Sequence, residues 1–249
     1  MTETVSAKQP ARRIDLPRIF VTLFRPRGAF ETVKNETRST WLTPMLVLSL
    51  TALLVVLVSG YLRTRAAMLG EIQLPPDWQY WTPQMQENFM QGQQLTQGTA
   101  FIYVIPLVSS WAGLWLGWLV LAGLLHLGST LLGGRGSMQS ALSVTAWASL
   151  PFALRDLLRA VYMLSAQHVI VSPGLSGFAT GGGFAAQVLE YTDLFLLWNV
   201  VLLLIGFAIV EGLPRARSFL VVAAVMSLLV SIQAGAGALM ARVSGGVVS

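Results

Sequence analysis

The feature that most limits how this chain can fold is a set of long stretches without a single charge. Leu42–Gly60, Phe101–Leu132, Ser137–Leu154, Leu194–Val210 and Phe219–Ala241 contain no Asp, Glu, Lys or Arg. A helix needs about 20 mostly apolar residues to cross ~30 Å of hydrocarbon. The third stretch meets Arg155, Asp156 and Arg159 and then resumes to Val171. Composition points the same way. Across 249 residues 54% are hydrophobic and 11% charged, with a mean hydropathy of +0.65. A soluble domain carries about 25% charged residues, so a water-facing surface cannot be assembled here. The expectation is an all-α polytopic membrane protein with five transmembrane helices. Trp41 and Tyr61 bracket the first run as interfacial anchors. No short apolar core with a small-residue cleavage site precedes it, so it reads as a span rather than a signal peptide.

Orientation comes from the basic residues. Lys8, Arg12, Arg13, Arg18, Arg25, Arg27, Lys34 and Arg38 all precede the first span. With that end cytoplasmic, five alternating spans also bring Arg135, Arg215 and Arg217 inside, and leave Arg63, Arg65 and Arg242 outside. This bias places the N terminus in the cytoplasm and the C terminus outside, in a plasma (inner) membrane. The net charge of +5 therefore reports topology and implies no nucleic-acid partner. Without cysteine, disulfides, thiolate metal sites and cysteine nucleophiles are all excluded.

Residues 1–16 read as a disordered basic tail, 17–40 as an interfacial amphipathic segment and 41–241 as the transmembrane domain. In the second of these, Pro17 suits a first helical turn, and Ile19, Phe20, Leu23 and Phe24 share one face flanked by Arg18 and Arg25. A short helix lying on the inner leaflet is expected. The loop between Leu62 and Ala100 is rich in glutamine, and a second outside loop from Gln167 to Gln187 is rich in glycine. Both are candidate partner surfaces, and both are too short for a soluble catalytic domain.

Three passages carry a resemblance: "FRPRGAFETV" (24–33), "LLGGRGSMQSAL" (131–142) and "TAWASLPFALRDLL" (145–158). Together with the order of the spans, they make the chain similar to the bacterial branch of the Yip1 family, over about residues 20–240. The resemblance implies five spans and no catalytic residue or cofactor. Eukaryotic members of that family associate with one another and with small GTPases of vesicle traffic, and some bacterial members with ABC-type exporters. The chain lacks the long acidic or tyrosine-bearing cytosolic domain of the eukaryotic members, so a GTPase link is not expected.

The third span holds the main candidate site. At 100° per residue, Arg155, Arg159 and Asp156 fall at roughly 0°, 40° and 100°, on one arc. Pro151 removes a backbone hydrogen bond and acts as a hinge before the charges. A charge at mid-bilayer costs ~3 kcal/mol or more, so these groups should face the bundle interior or a wet cavity. Asp156 and Arg159 can pair one turn apart, and Asn199 or Asp193 at a matching depth is expected to partner Arg159. Two readings stand: a structural ion pair locking the spans together, and a polar hinge that recognises a lipid headgroup, an anionic substrate or a partner helix.

Helix packing has its own signals. Gly113 and Gly117 form a GxxxG pair in the second span, and Ser227, Ser231 and Gly235 repeat a small-residue stripe in the last. Small residues let helices approach closely, so these faces are expected to pack protein while Trp111, Trp115 and Trp118 face lipid or a partner chain. The "GLSG" at 174–177 matches the nucleophile motif of rhomboid proteases. However, His126 and His168 both precede Ser176, which lies in a glycine-rich loop. Two histidines without HExxH make no zinc site.

The sequence thus reads as a non-enzymatic membrane protein without cofactor or metal. It is an accessory or scaffold subunit of a membrane complex, with ABC transporter subunits or a second copy as candidate partners beside membrane lipids. The alternative is a lipid- or small-substrate-binding transport component that uses the charged face of the third helix.

Overall fold

The computed structural model describes residues 14–36, 39–70, 74–75, 77–170, 173–179 and 183–245. Among these residues all regular structure is helical. The helices are α1 (Pro17–Phe24), α2 (Pro26–Asn35), α3 (Leu42–Met68), α4 (Pro83–Thr96), α5 (Ile105–Leu131), α6 (Met138–Ala148), α7 (Leu150–Ala166), α8 (Phe184–Tyr191), α9 (Leu194–Val210) and α10 (Arg215–Gly245). A π-helical turn, Ala100–Val104, leads into α5. Most of the expected basic tail, residues 1–13, lies outside the described residues, as does Arg38.

Among the described residues three segments are long and apolar enough to cross a membrane: Leu42–Met68, Ala100–Leu131 and Arg215–Met240. Helices α8 and α9 qualify only as a pair, bent by 66°. The expected third span divides into α6 and α7 at Ser149. Pro151 has no N–H to continue the ladder, and Arg155, Asp156 and Arg159 lower the hydropathy of α7. The structure therefore holds three candidate crossings, or four with the bent pair, against the five expected. Two smaller helices, α4 and α8, occupy stretches expected to be loops.

The expected short N-terminal helix is α1, which ends before Pro26, and a second helix, α2, follows it. Pro26 cannot donate into α1, and Arg25 leaves the helical region at φ −134° and ψ 57° before α2 begins. The expected apolar face also splits. Ile19 and Leu23 pack against the core, while Phe20 and Phe24 are exposed at 69% and 72%.

The chain forms two compact units. The first comprises residues 1–48, 115–155 and 171–249. Its core joins Phe30 and Val33 of α2, Val144 and Trp147 of α6, Leu203 and Phe207 of α9, and Val221 and Val222 of α10. Gly206 makes this possible: a Cβ there would lie 2.5 Å from Val144 Cγ1 and 3.2 Å from the Phe30 ring. The second unit comprises residues 49–114 and 156–170. Val58 and Leu62 of α3 pack there against Ala160 and Met163 of α7. The same unit holds a ring cluster of Trp78, Trp81 and Phe89, with centroids 5.4–5.6 Å apart.

Candidate functional site

The expected charged cluster lies on α7, with Asp193 of the α9 start beside it. Arg155, Asp156 and Arg159 are all half-buried on α7. Arg155 Nη1 lies 3.5 Å from Asp193 Oδ2, and its guanidinium sits 4.7 Å from the Phe152 ring centroid. Asp193 also caps α9 by accepting Leu196 N–H at 2.8 Å. Its position is therefore dictated by the helix start, and the pairing uses an acid already held in place. The expectation named Asn199 or Asp193 as the partner of Arg159; Arg155 also lies within ion-pair distance of Asp193.

Asn199 belongs elsewhere. Its side-chain N–H donates to the Ala148 carbonyl at 2.9 Å, fully buried. That carbonyl lacks its helical donor because Phe152 N–H turns to Ser149 O at the α6–α7 break. Asn199 therefore closes the backbone defect that the "SLP" sequence opens. Matching depth along two helices did not settle which way the side chain turns.

A second polar centre, which the charge pattern alone did not reveal, surrounds Glu211 at the end of α9. Its side chain is 0% exposed. Oε2 accepts Gly136 N–H at 2.8 Å, and Oε1 lies 3.2 Å from His126 Nδ1. The Glu211 carbonyl accepts Arg135 N–H at 3.0 Å. The loop that wraps the carboxylate is the "GGRG" turn after α5. Gly133, at φ +91°, donates to Thr130 O at 3.0 Å, and Gly134 donates to Ser129 O at 2.8 Å. This pair of bonds closes the helix in a Schellman motif, which needs a left-handed residue at Gly133. A Cβ on Gly134 would lie 2.9 Å from Glu211 Oε2, and one on Gly136 2.6 Å from its Cδ. Arg217 of α10 adds a hydrogen bond to Leu132 O at 3.1 Å. The centre thus ties the end of α5, the end of α9 and the start of α10 together. An acid ending an apolar run, "AIVEGLP", was the available signal in the sequence.

A third centre holds the N-terminal helices. Arg18 and Glu36 form a two-pronged pair at 2.5 and 3.0 Å, with side chains only 10% and 9% exposed. Asp15 approaches Arg18 Nε at 3.3 Å, and the Trp147 ring lies 5.4 Å from the guanidinium. Trp147 Nε1–H in turn donates to Thr40 Oγ1 at 3.2 Å. Arg18 was expected to flank an apolar face at the lipid surface. It is instead a buried anchor, and Arg25 stays exposed.

The packing assignment of the second span is reversed. Gly113 and Gly117 are exposed, and among the described residues nothing lies within 4 Å of a Cβ built on either. The tryptophans pack instead. Trp118 is buried and donates to Leu142 O at 3.0 Å, and Trp41 meets Trp115 and Trp118 at 6.0 and 5.1 Å. Trp111 Nε1–H donates to Ser49 O at 3.1 Å. A large ring with an N–H gains both area and a hydrogen bond by facing protein. On α10, Ser227 and Ser231 are exposed and, among the described residues, Gly235 meets nothing within 4 Å. The close approaches are at Gly128, where a Cβ would lie 3.0 Å from Val221, and at Gly237 beside Gln187.

Ser176 Oγ donates to Pro173 O at 2.7 Å. Among the described residues no three acidic or histidine side chains gather as a metal site.

Compared with known proteins, a family model described as the Yip1 domain matches residues 20–236. An uncharacterized protein of Methanocaldococcus jannaschii is 40% identical over 58 residues, or 23% of this chain and 41% of that protein. The chain thus spans about two fifths of the length of the curated relative it matches. No solved structure matches.

Proposed function

Since the chain belongs to the Yip1 family of membrane proteins, we propose that it is a non-enzymatic accessory or scaffold subunit that binds a partner helix within the bilayer. One observation carries this reading. Within Ala100–Leu131, only 6% of an 18-residue apolar window is buried, against 44% of the corresponding window in Leu42–Met68. Its exposed side includes Gly113 and Gly117, the small-residue spacing at which two membrane helices approach most closely. The partner is a membrane protein, with an ABC-type exporter subunit or a second copy as the first candidates.

The reading includes five crossings, with α6 and α7 together forming a broken third span in an inner membrane. Asn199 at the break supports it by supplying the bond that hydrocarbon cannot. The N terminus is then cytoplasmic, and α1 lies at the inner surface with Phe20 and Phe24 toward lipid. A reporter active only in the cytoplasm is expected to work at the N terminus and after Gly134, and to fail at the C terminus. Activity at the C terminus would refute five crossings in this orientation.

The partner surface is tested by placing a photoreactive residue at Gly113 or Gly117 in cells and identifying what is captured. A membrane protein should be caught there, and Gly113→Leu with Gly117→Leu should release it from a mild-detergent complex. Labelling by lipid alone would count against a scaffold.

A further inference from the structure

A cleft in the second compact unit has the chemistry of a lipid-headgroup site. It encloses about 710 Å³, within the range of pockets that hold small organic ligands. It lies where α3 ends and the Ala100–Leu131 segment begins, at the edge of two candidate spans. Its apolar wall is Leu62, Ala66, Phe101, Ile102 and Val169. Ile102 is buried, whereas Phe101 is 50% exposed and forms the rim. Both belong to the π-helical turn Ala100–Val104, a local widening that recurs at functional positions in helices.

The polar wall contains Arg63, Gln93, Gln97, Gln167 and His168, and among the described residues no acid lines the cleft. Gln167 adopts φ +58°, which a non-glycine residue rarely takes, and its side chain accepts a hydrogen bond from Arg65. Arg65 is thus occupied in holding the wall. Arg63 is different: among the described residues its side chain makes no hydrogen bond or ion pair. An arginine without an acid, above an apolar wall and surrounded by amides, matches a phosphate carried on a hydrocarbon chain.

We propose that this cleft binds an anionic phospholipid, with the phosphate on Arg63, the polar headgroup on the glutamines and the upper acyl chain along Phe101 and Ile102. The described lining holds no carboxylate to pair with an ammonium, which disfavours a choline headgroup. The apolar wall separates the proposal from binding of free phosphate.

The test uses the full chain in a neutral detergent, with thermal unfolding measured during titration with dioleoylphosphatidylglycerol, dioleoylphosphatidylcholine or inorganic phosphate. The phosphatidylglycerol should stabilise at concentrations where the other two do not. Arg63→Gln should weaken that effect about tenfold, the size of one lost charged hydrogen bond, and leave the unliganded unfolding temperature unchanged. Should Arg63→Gln disturb folding, Ala66→Trp decides, because it fills the cleft and should abolish the stabilisation. Equal stabilisation by phosphatidylcholine, full stabilisation by phosphate alone, or an unaltered response in the folded variant would each overturn the proposal.

Discussion

Gly136→Ala isolates the Glu211 centre because its cost is steric and local. Gly136 does not take a left-handed φ, so alanine meets no backbone penalty there. The added methyl would lie 2.6 Å from Glu211 Cδ and 2.7 Å from both carboxylate oxygens. The carboxylate must move about 1 Å to restore van der Waals contact near 3.5 Å. With 0% exposure it has nowhere to go without breaking the 2.8 Å bond from Gly136 N–H. Overpacking costs about 1–3 kcal/mol, and a hydrogen bond to a charged group about 1.5–3 kcal/mol. Their sum, about 2.5–6 kcal/mol, corresponds to a fall of roughly 5–24 °C in unfolding temperature for a chain of this size. Size-exclusion chromatography with fluorescence detection, after heating in detergent, reads this directly. A double-mutant cycle sharpens the test. In a Glu211→Ala background the obstruction is gone, so Gly136→Ala should cost less than about 1 kcal/mol. Gly134→Ala should not be relieved in the same way, because Ser129 O still stands 2.8 Å from its Cβ. Additive effects of Gly136→Ala and Glu211→Ala would refute the argument.

Trp118→Ala should destabilise by about 3–5 kcal/mol, since it vacates a buried site and removes the ring's hydrogen bond to Leu142 O; Gly113→Leu should leave the stability of the isolated protein within about 1 kcal/mol of wild type. Equal losses in that assay would overturn the face assignment. Asp193→Asn keeps a capping oxygen for Leu196 N–H and removes only the charge facing Arg155, so it should be milder than Asp193→Ala by about 1 kcal/mol; equal losses in chemical unfolding would show that the cap contributes nothing. Asn199→Leu should cost about 1–3 kcal/mol because the Ala148 carbonyl is buried with no replacement donor. An unchanged unfolding temperature would show that the break does not need it.

Much of the architecture was legible from residue order. Charge-free runs matched to hydrocarbon thickness marked α3, α5 and α10 as candidate spans, because apolar length is specified by composition more than by contacts, whereas α9 reaches that length only with α8. The break near Pro151 was also legible, since a missing N–H acts on its own helix. The end of the short N-terminal helix before Pro26 was legible for the same local reason, whereas α2 beyond it was not. The two loop helices α4 and α8 were hidden by their glutamine- and glycine-rich surroundings, which give no apolar period to read.

What only the tertiary structure decided is which way side chains turn between helices. Gly113 and Gly117 have the spacing of a packing face, yet it is Trp118, on the other side of α5, that is buried. Arg18 has the setting of a surface cation, yet Glu36 and Trp147 enclose it. Glu211 was visible as an acid at a helix end, but its partners Gly136 and His126 come from sequence-distant elements. The apolar length of a helix is set by its own residues, so sequence alone gives it for α3, α5 and α10. The partner of a buried polar group depends on which segments meet there, and one chain offers many segments of equal apolarity. The three-dimensional packing alone selects among them.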